Sequence, residues 1–241
     1  MNAVNDRGVS VISPKAVLFD LDNTLTHRGS SIERYAQRFL AHFHDALHAT
    51  SSTQLVQLIN ATDNGGYLPP DSPFSSIREA IGQTLSRRLP WRLETTPAFL
   101  SAHWVEFFPS ATTPMPGASR LIQRLSERSI ACAIVSNGAE QSRRRTLEAL
   151  PFAPAIRSLI SSEAHGCAKP EPAIFLAAAD RLGVAPEHCW FVGDHPVNDY
   201  QGAATAGMRA IWLRGFHPWP QAWQPATCAV DALQDLSNLL P

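Results

Sequence analysis

The sequence predicts an α/β fold: a doubly wound parallel sheet with a small α-helical domain inserted after its first strand. Three observations predict it. Short apolar runs end abruptly in polar or small residues. Helical patterns alternate with those runs. Between about residues 30 and 110 the alternation stops and only helical patterns remain.

Four runs read as strands. Ala16-Val17-Leu18-Phe19 runs into Asp20, and Ala131-Cys132-Ala133-Ile134-Val135 into Ser136 and Asn137. Cys189-Trp190-Phe191-Val192 runs into Gly193 and Asp194, and Ala210-Ile211-Trp212-Leu213 into Arg214 and Gly215. Apolar residues without polar alternation suit strands buried on both faces, as in a parallel sheet. Ser158-Leu159-Ile160 is a shorter candidate. Between these runs, Gly117–Ser126 puts Leu121, Ile122 and Leu125 on one helical face. Pro172–Leu182 does the same for Ile174, Phe175, Ala178 and Leu182, with Gly183 as its stop. The small residues of Gln201–Ala206 allow a helix close to the sheet. Ligands of such folds sit at the carboxyl ends of the strands, where the polar residues just named stand.

In the insertion, Ser30 and Glu33 are spaced as a capping box, followed by Ile32, Tyr35, Phe39 and Phe43. Asp71-Ser72-Pro73 is read as the start of a second helix striped by Ile77, Ile81 and Leu85. Thr96-Pro97 starts a third, with Leu100, Trp104 and Phe107. Asp63-Asn64-Gly65-Gly66 is read as a polar loop. The boundaries drawn are 1–27 and 111–241 for the α/β domain and 28–110 for the helical one. The tail from Phe216 to Pro225, with Trp219 and Trp223, is expected to wrap irregularly over the core and has no functional reading.

Composition excludes several classes. The 241 residues are 44% hydrophobic, enough for a sizeable core, and carry a formal net charge of -1. No basic field for nucleic acid is present. No apolar run approaches the ~18 residues of a membrane span, and MNAVNDRGVSVISPK lacks a signal-peptide core. Cys132, Cys167, Cys189 and Cys228 form no C-x-x-C pair, so free thiols and a cytoplasmic location are expected. Oligomeric state is not readable.

The strand ends carry the chemistry. Asp20 and Asp22 are two carboxylates two residues apart, and like charges ~4 Å apart repel by roughly 4 kcal/mol at an effective dielectric of 20. A cation or a shared proton offsets this, magnesium being the hard cation that carboxylates and carbonyls suit. A solvated turn is the plainer alternative. In a parallel sheet Asp194 can complete that cation site with Asp199 behind it. Asn198-Asp199 equally suits a helix N-cap. The Ser136 hydroxyl and nearby N–H groups suit a phosphoryl oxygen. Lys169 can neutralise both a carboxylate and a phosphoryl group.

Taken together, these segments resemble the haloacid dehalogenase-like hydrolase superfamily over nearly the whole chain. Asp20, Asp22 and Thr24 match its D-x-D-x-T motif, Ser136 its serine or threonine, Lys169 its lysine, and Gly193, Asp194 and Asp199 its G-D-x-x-x-x-D. The resemblance implies a Rossmann-like core with a helical cap, and a magnesium-dependent phosphatase acting on a small-molecule phosphate ester. It implies that Asp20 is the nucleophile and Asp22 the acid and base. Mg2+ would be held by Asp20, the Asp22 carbonyl and Asp194. Ser136, the Asn137 backbone and Lys169 would hold the phosphoryl oxygens, with Thr24 and Asp199 supporting them. The alternatives are a 2-haloacid dehalogenase, whose members lack the second aspartate of the first motif, a phosphosugar mutase, and a non-catalytic binding protein.

Overall fold

The computed structural model describes residues 13–240. Met1–Ile12, which hold most of the stretch examined for a leader, and Pro241 lie outside the described residues. The chain divides into two compact units. One runs to Leu25 and resumes at Pro114; the other is Thr26–Thr113.

In chain order the elements are β1 (Ala16–Phe19), α1 (Arg28–His42), α2 (Ser52–Asp63), α3 (Ile77–Arg88), α4 (Pro97–Phe107), α5 (Ala118–Glu127), β2 (Ala131–Ser136), α6 (Glu140–Glu148), β3 (Ile156–Ser161), α7 (Ser162–His165), α8 (Pro172–Leu182), β4 (Cys189–Gly193), α9 (Gly202–Thr205), β5 (Arg209–Leu213), β6 (Ala229–Val230) and α10 (Leu236–Leu239).

The first unit is the expected doubly wound parallel sheet. Among the described residues its six strands lie in the order β3-β2-β1-β4-β5-β6, every pairing parallel. Alternate residues of one strand feed opposite cores. Val17 and Phe19 join Leu121, Ile122 and Leu125 of α5 on one face. Ala16 and Leu18 join Ile174, Phe175 and Ala178 of α8 on the other. Each such side chain contributes about 1.5–3 kcal/mol by leaving water, which is why β1 tolerates no polar residue. The chain leaves β1 for β2 and β3 on one side, then returns to β4 on the other. The strand order therefore reverses at the β1–β4 pair, and the crevice beyond their carboxyl ends is the natural ligand position. Met115 N–H donates to the Leu25 carbonyl at 2.9 Å, so the two chain ends that border the insertion are tied together within this unit.

The sequence missed four elements here, two of them the four-residue helices α7 and α10. The polar helix α6 buries only Thr146 and Leu147 and shows no stripe. The two-residue strand β6 is too short to register as a pattern.

The helical unit holds four helices where three were expected. Its core gathers Ile32, Tyr35, Phe39, Leu55, Ile59, Ile81, Leu85, Leu100 and Trp104. The missed helix is α2, whose Ser51 and Gln54 form a true capping box but whose buried apolar residues are only Leu55 and Ile59. Ser30 and Glu33 do not cap α1. That helix starts at Arg28, with the His27 ring accepting from Ser30 N–H. Nor does α3 start at Asp71. Its N-cap is Ser76, and Glu79 accepts from Ser75, a combination that outcompetes the earlier Asp-Ser-Pro signal. Thr96 caps α4 as expected. Asp63 ends α2 instead of opening a loop, and its carboxylate is buried in a two-bond pair with Arg28 at 2.6 and 2.7 Å. Arg28 also lies over the Phe108 ring. His27 N–H donates to the Thr113 carbonyl at 2.9 Å, so the termini of this unit are also paired.

Candidate active site

The site is built at the β1–β4 switch. Asp20 follows β1, and its N–H is held by the Val192 carbonyl at 2.9 Å, which fixes the end of β1 to the end of β4. Its carboxylate is buried and receives Lys169 Nζ at 2.5 Å. The same ammonium donates to Asp199 Oδ1 at 2.6 Å and lies 5.7 Å from the centre of the Phe191 ring. Lys169 is only 4% exposed, so the solvated state usual for lysine does not apply.

Asn137 positions that lysine. Its side-chain amide donates to the Lys169 carbonyl at 3.0 Å and accepts from the Lys169 N–H at 2.8 Å. The turn after β2 thereby sets the loop before α8. Ser136, the last residue of β2, is buried beside Asn137 and lies in register with Ser161 of β3.

Asp194 follows β4 and is 2% exposed. Its Oδ1 accepts from Thr24 Oγ1 at 3.4 Å, its Oδ2 contacts His217 Nδ1 at 2.7 Å, and its carbonyl accepts Trp212 Nε1 at 2.9 Å. Asp199 uses its second oxygen to accept His195 N–H at 2.9 Å. That approach requires Gly193, because a Cβ there would stand about 2.5 Å from the Asp199 Cβ. Asn198-Asp199 does not cap the following turn. The His195 ring does, accepting from Val197 and Asn198 N–H.

Asp22 is turned elsewhere. Its Oδ2 lies 2.5 Å from Nη1 of Arg143, in the first turn and a half of α6. Of the expected residues, Asp20, Lys169, Asp194 and Asp199 thus form one contiguous group. Thr24 and Asn137 adjoin it through Asp194 and the Lys169 backbone. Arg143, His217 and Trp212 were missed. Arg143 stands in an unremarked run of three arginines, and His217 lies in the Phe216–Pro225 tail.

The electrostatics test whether a cation fits. Carboxylate oxygens of Asp20, Asp194 and Asp199 all lie within 4.8 Å of one another. Burial pushes the Asp20 carboxyl up to about 8; Lys169 opposes the rise while Asp199 and Asp194 add to it. Burial also raises Asp194, against the opposing hydrogen bond from His217, which is itself raised mainly by that bond. Three buried carboxylates facing one ammonium leave a surplus of negative charge. An all-oxygen donor set of that charge fits a hard divalent cation of the magnesium type. Asp199 gives both oxygens to firm bonds at 2.6 and 2.9 Å, whereas Asp194 Oδ1 holds only a long 3.4 Å contact and Asp20 meets Lys169 through Oδ1, so the Asp20 and Asp194 carboxylates are the nearer candidates to hold it.

Such a site, at the switch point of a doubly wound sheet with a carboxylate held against a buried lysine, stands where hydrolases of this fold class can place their chemistry. A model of the haloacid dehalogenase-like hydrolases matches residues 14–207. The chain belongs to that family. Phosphoglycolate phosphatase of Xylella fastidiosa (strain Temecula1) is 29% identical over 218 residues, covering 89% of this chain and 88% of that protein. Phosphoserine phosphatase of Thermus thermophilus is 36% identical over 104 residues, and the match spans only 42% of that protein. Among solved structures, a haloacid dehalogenase-like hydrolase of Bacillus subtilis bound to magnesium aligns with a TM-score of 0.71 at 22% identity, covering 95% of this chain and 99% of that one. A 2-haloacid dehalogenase of Pseudomonas syringae pv. Tomato aligns at 0.60 and 24% identity, covering 94% and 98%. At those identities the structural likeness establishes the fold alone.

Proposed function

We propose that this chain hydrolyses small-molecule phosphomonoesters in a magnesium-dependent reaction that passes through a phospho-aspartyl intermediate on Asp20. The observation that carries this reading is the buried Asp20 carboxylate bonded to Lys169 inside a cluster of carboxylates, with a second carboxyl, Asp22, two residues on. Relatives that cover most of the chain are phosphatases, which supports the same reading.

Phosphomonoesters resist hydrolysis, and acceleration up to about 10²¹-fold is known. The residues divide that demand. The Asp20 carboxylate attacks phosphorus while the ester P–O bond breaks, and the Asp22 proton passes to the departing oxygen. Water then attacks phosphorus, its proton passes to Asp22, and the Asp20–phosphorus bond breaks to release phosphate. Lys169, the Ser136 hydroxyl and the Asn137 N–H hold the phosphoryl oxygens. The Asn137 side chain is committed to the Lys169 backbone, so only its main chain serves this purpose. The Asp20 and Asp194 carboxylates and the Asp22 carbonyl would hold the Mg2+, which supplies charge neutralisation and in-line alignment when bound. Thr24 and Asp199 keep Asp194 and Lys169 in place. We assign the selection of the ester to the helical unit as a cap. Dehalogenation is disfavoured by Asp22, which that chemistry does not need.

The test is phosphate release from p-nitrophenyl phosphate and a panel of metabolite phosphates, with Mg2+ and with EDTA. Turnover that requires Mg2+ and vanishes in Asp20→Asn supports the reading. Metal-independent halide release from a 2-haloacid, without phosphatase activity, overturns it.

A further inference from the structure

We propose that Arg143 forms an anion-binding subsite for the alcohol part of the ester, so that the enzyme favours phosphomonoesters whose leaving group carries a carboxylate close to the ester oxygen. This rests on the phosphohydrolase reading and adds a substrate class to it.

Arg143 is built into the site from α6, whose Arg144 instead pairs with Glu140 within the helix. Its Nη1 meets Asp22 Oδ2 at 2.5 Å, across 121 positions of sequence. Its guanidinium is seated on Gly138, the residue after Ser136-Asn137. A Cβ at Gly138 would stand 2.6 Å from Nε, 2.7 Å from Nη2 and 3.0 Å from Cζ. Gly138 also has φ 132°, a conformation that side chains rarely adopt. The loop that would hold the phosphoryl group therefore leaves a seat for this cation.

Arg143 keeps 18% of its side chain exposed, beside Asp22 at 20%. Its Nε is buried against Gly138, so the surface open to a ligand belongs to the Nη groups. A guanidinium presents its N–H groups as a planar fork that suits a carboxylate with two parallel bonds.

Position decides which part of the substrate meets it. Lys169 serves the Asp20 and Asp199 side of the site. Arg143 stands at the tip of Asp22, the residue assigned to the leaving oxygen. A group one or two carbons from that oxygen lies beside Asp22 and Arg143. Without Arg143, an acidic arm there would meet no cation beside Asp22. With it, the arm takes the fork, and Asp22 is released from its partner to turn toward the leaving oxygen. A role confined to pinning Asp22 makes a different prediction, since it affects every ester alike.

The experiment compares matched esters: 2-phosphoglycolate against 2-hydroxyethyl phosphate, and 3-phosphoglycerate against glycerol 3-phosphate. Each pair is assayed with the wild-type chain, Arg143→Gln and Arg143→Lys, with p-nitrophenyl phosphate alongside. The wild type is expected to favour the acidic member of at least one pair by about tenfold or more in kcat/KM, chiefly through KM. Arg143→Gln should erase that preference, and Arg143→Lys should retain part of it as a point charge. Circular dichroism of both variants checks that they fold. The proposal is overturned if the wild type shows no preference, if the preference survives Arg143→Gln, or if both members of a pair fall in parallel. Turnover of p-nitrophenyl phosphate without an acidic preference overturns this proposal alone. Absence of any phosphatase turnover in the wild type overturns the phosphohydrolase reading and this proposal with it.

Discussion

The Nδ1 of His217 stands 2.7 Å from Oδ2 of Asp194, so a ring from the Trp- and Pro-rich tail is bonded to the buried carboxylate that follows β4. Burial raises the Asp194 carboxyl, and the His217 bond acts against that rise. Removing the ring leaves Asp194 easier to protonate and freer to rotate. Residues that orient a metal-binding carboxylate typically account for 10–100-fold in affinity. His217→Ala is therefore expected to weaken Mg2+ binding by about tenfold or more, read by titration calorimetry. An unchanged dissociation constant would remove His217 from any role at the site.

Lys169 answers two buried carboxylates at once, Asp20 at 2.5 Å and Asp199 at 2.6 Å. Lys169→Met leaves both without their cation. Breaking a buried pair in this way costs about 3–5 kcal/mol, and the lost charge at the phosphoryl group should cut kcat by about 10²-fold or more. Thermal unfolding and steady-state kinetics measure the two effects. Mg2+ should restore part of the stability of the variant and little of its activity. A variant as stable as the wild type in EDTA would contradict the burial argument.

The pH dependence of stability has a definite sign in metal-free protein. Asp20 is raised from 3.8 to about 8, so between those values the folded chain keeps a proton that the unfolded chain has released. Stability from this group declines as pH rises through that window. Asp194 is raised as well and slopes the same way. His217 is raised above 6.5, so its stabilisation is complete below that value and is lost as pH climbs through its folded one. All three predict unfolding temperatures in EDTA that fall from acid to neutral pH. Mg2+ should flatten the slope by favouring the carboxylates, and Asp20→Asn should remove part of it. A melting temperature that rises over this range in EDTA is the contrary result.

In the helical unit, Arg28 and Asp63 are 7% and 1% exposed and joined by two bonds. Arg28→Met should destabilise by about 3–5 kcal/mol, because it strands a buried carboxylate. Pairing it with Asp63→Leu should recover much of that loss, since an apolar pair needs no partner. Urea unfolding of the two variants separates these outcomes. Equal destabilisation by the single and double changes would show that the pair is not the cause.

How much of this was legible depended on where each signal lies. Strands β1, β2 and β4 could be read because every residue is buried, and β5, partly exposed at Arg209 and Trp212, because Ala210–Leu213 is an unbroken apolar run. Helix α4 could be read from Thr96-Pro97. Helices α2 and α6 could not, since one buries two apolar residues on its inner face and the other one, and a sparse stripe resembles a loop. The start of α3 was misplaced because Asp71-Ser72-Pro73 and Ser76 are both plausible caps, and the Ser76 cap with the Glu79–Ser75 bonds wins. The cluster of Asp20, Lys169, Asp194 and Asp199 was anticipated because each residue sits at a strand end or just before a helix. Arg143 reaches Asp22, and His217 reaches Asp194, by tertiary contact from a polar helix and an irregular tail, across 121 and 23 positions. No local pattern encodes such a reach.

The paired ends of the helical unit carry a consequence for how such chains diversify. Leu25 and Met115 are bonded within the α/β unit, and His27 and Thr113 within the helical one. Each unit is thus closed at its own border by a short-range bond. A segment inserted between those borders can be shortened, lengthened or exchanged for another without moving β1 or α5. On the proposed role of the helical unit, recombination at these two seams would swap one selectivity for another on an unaltered chemical engine.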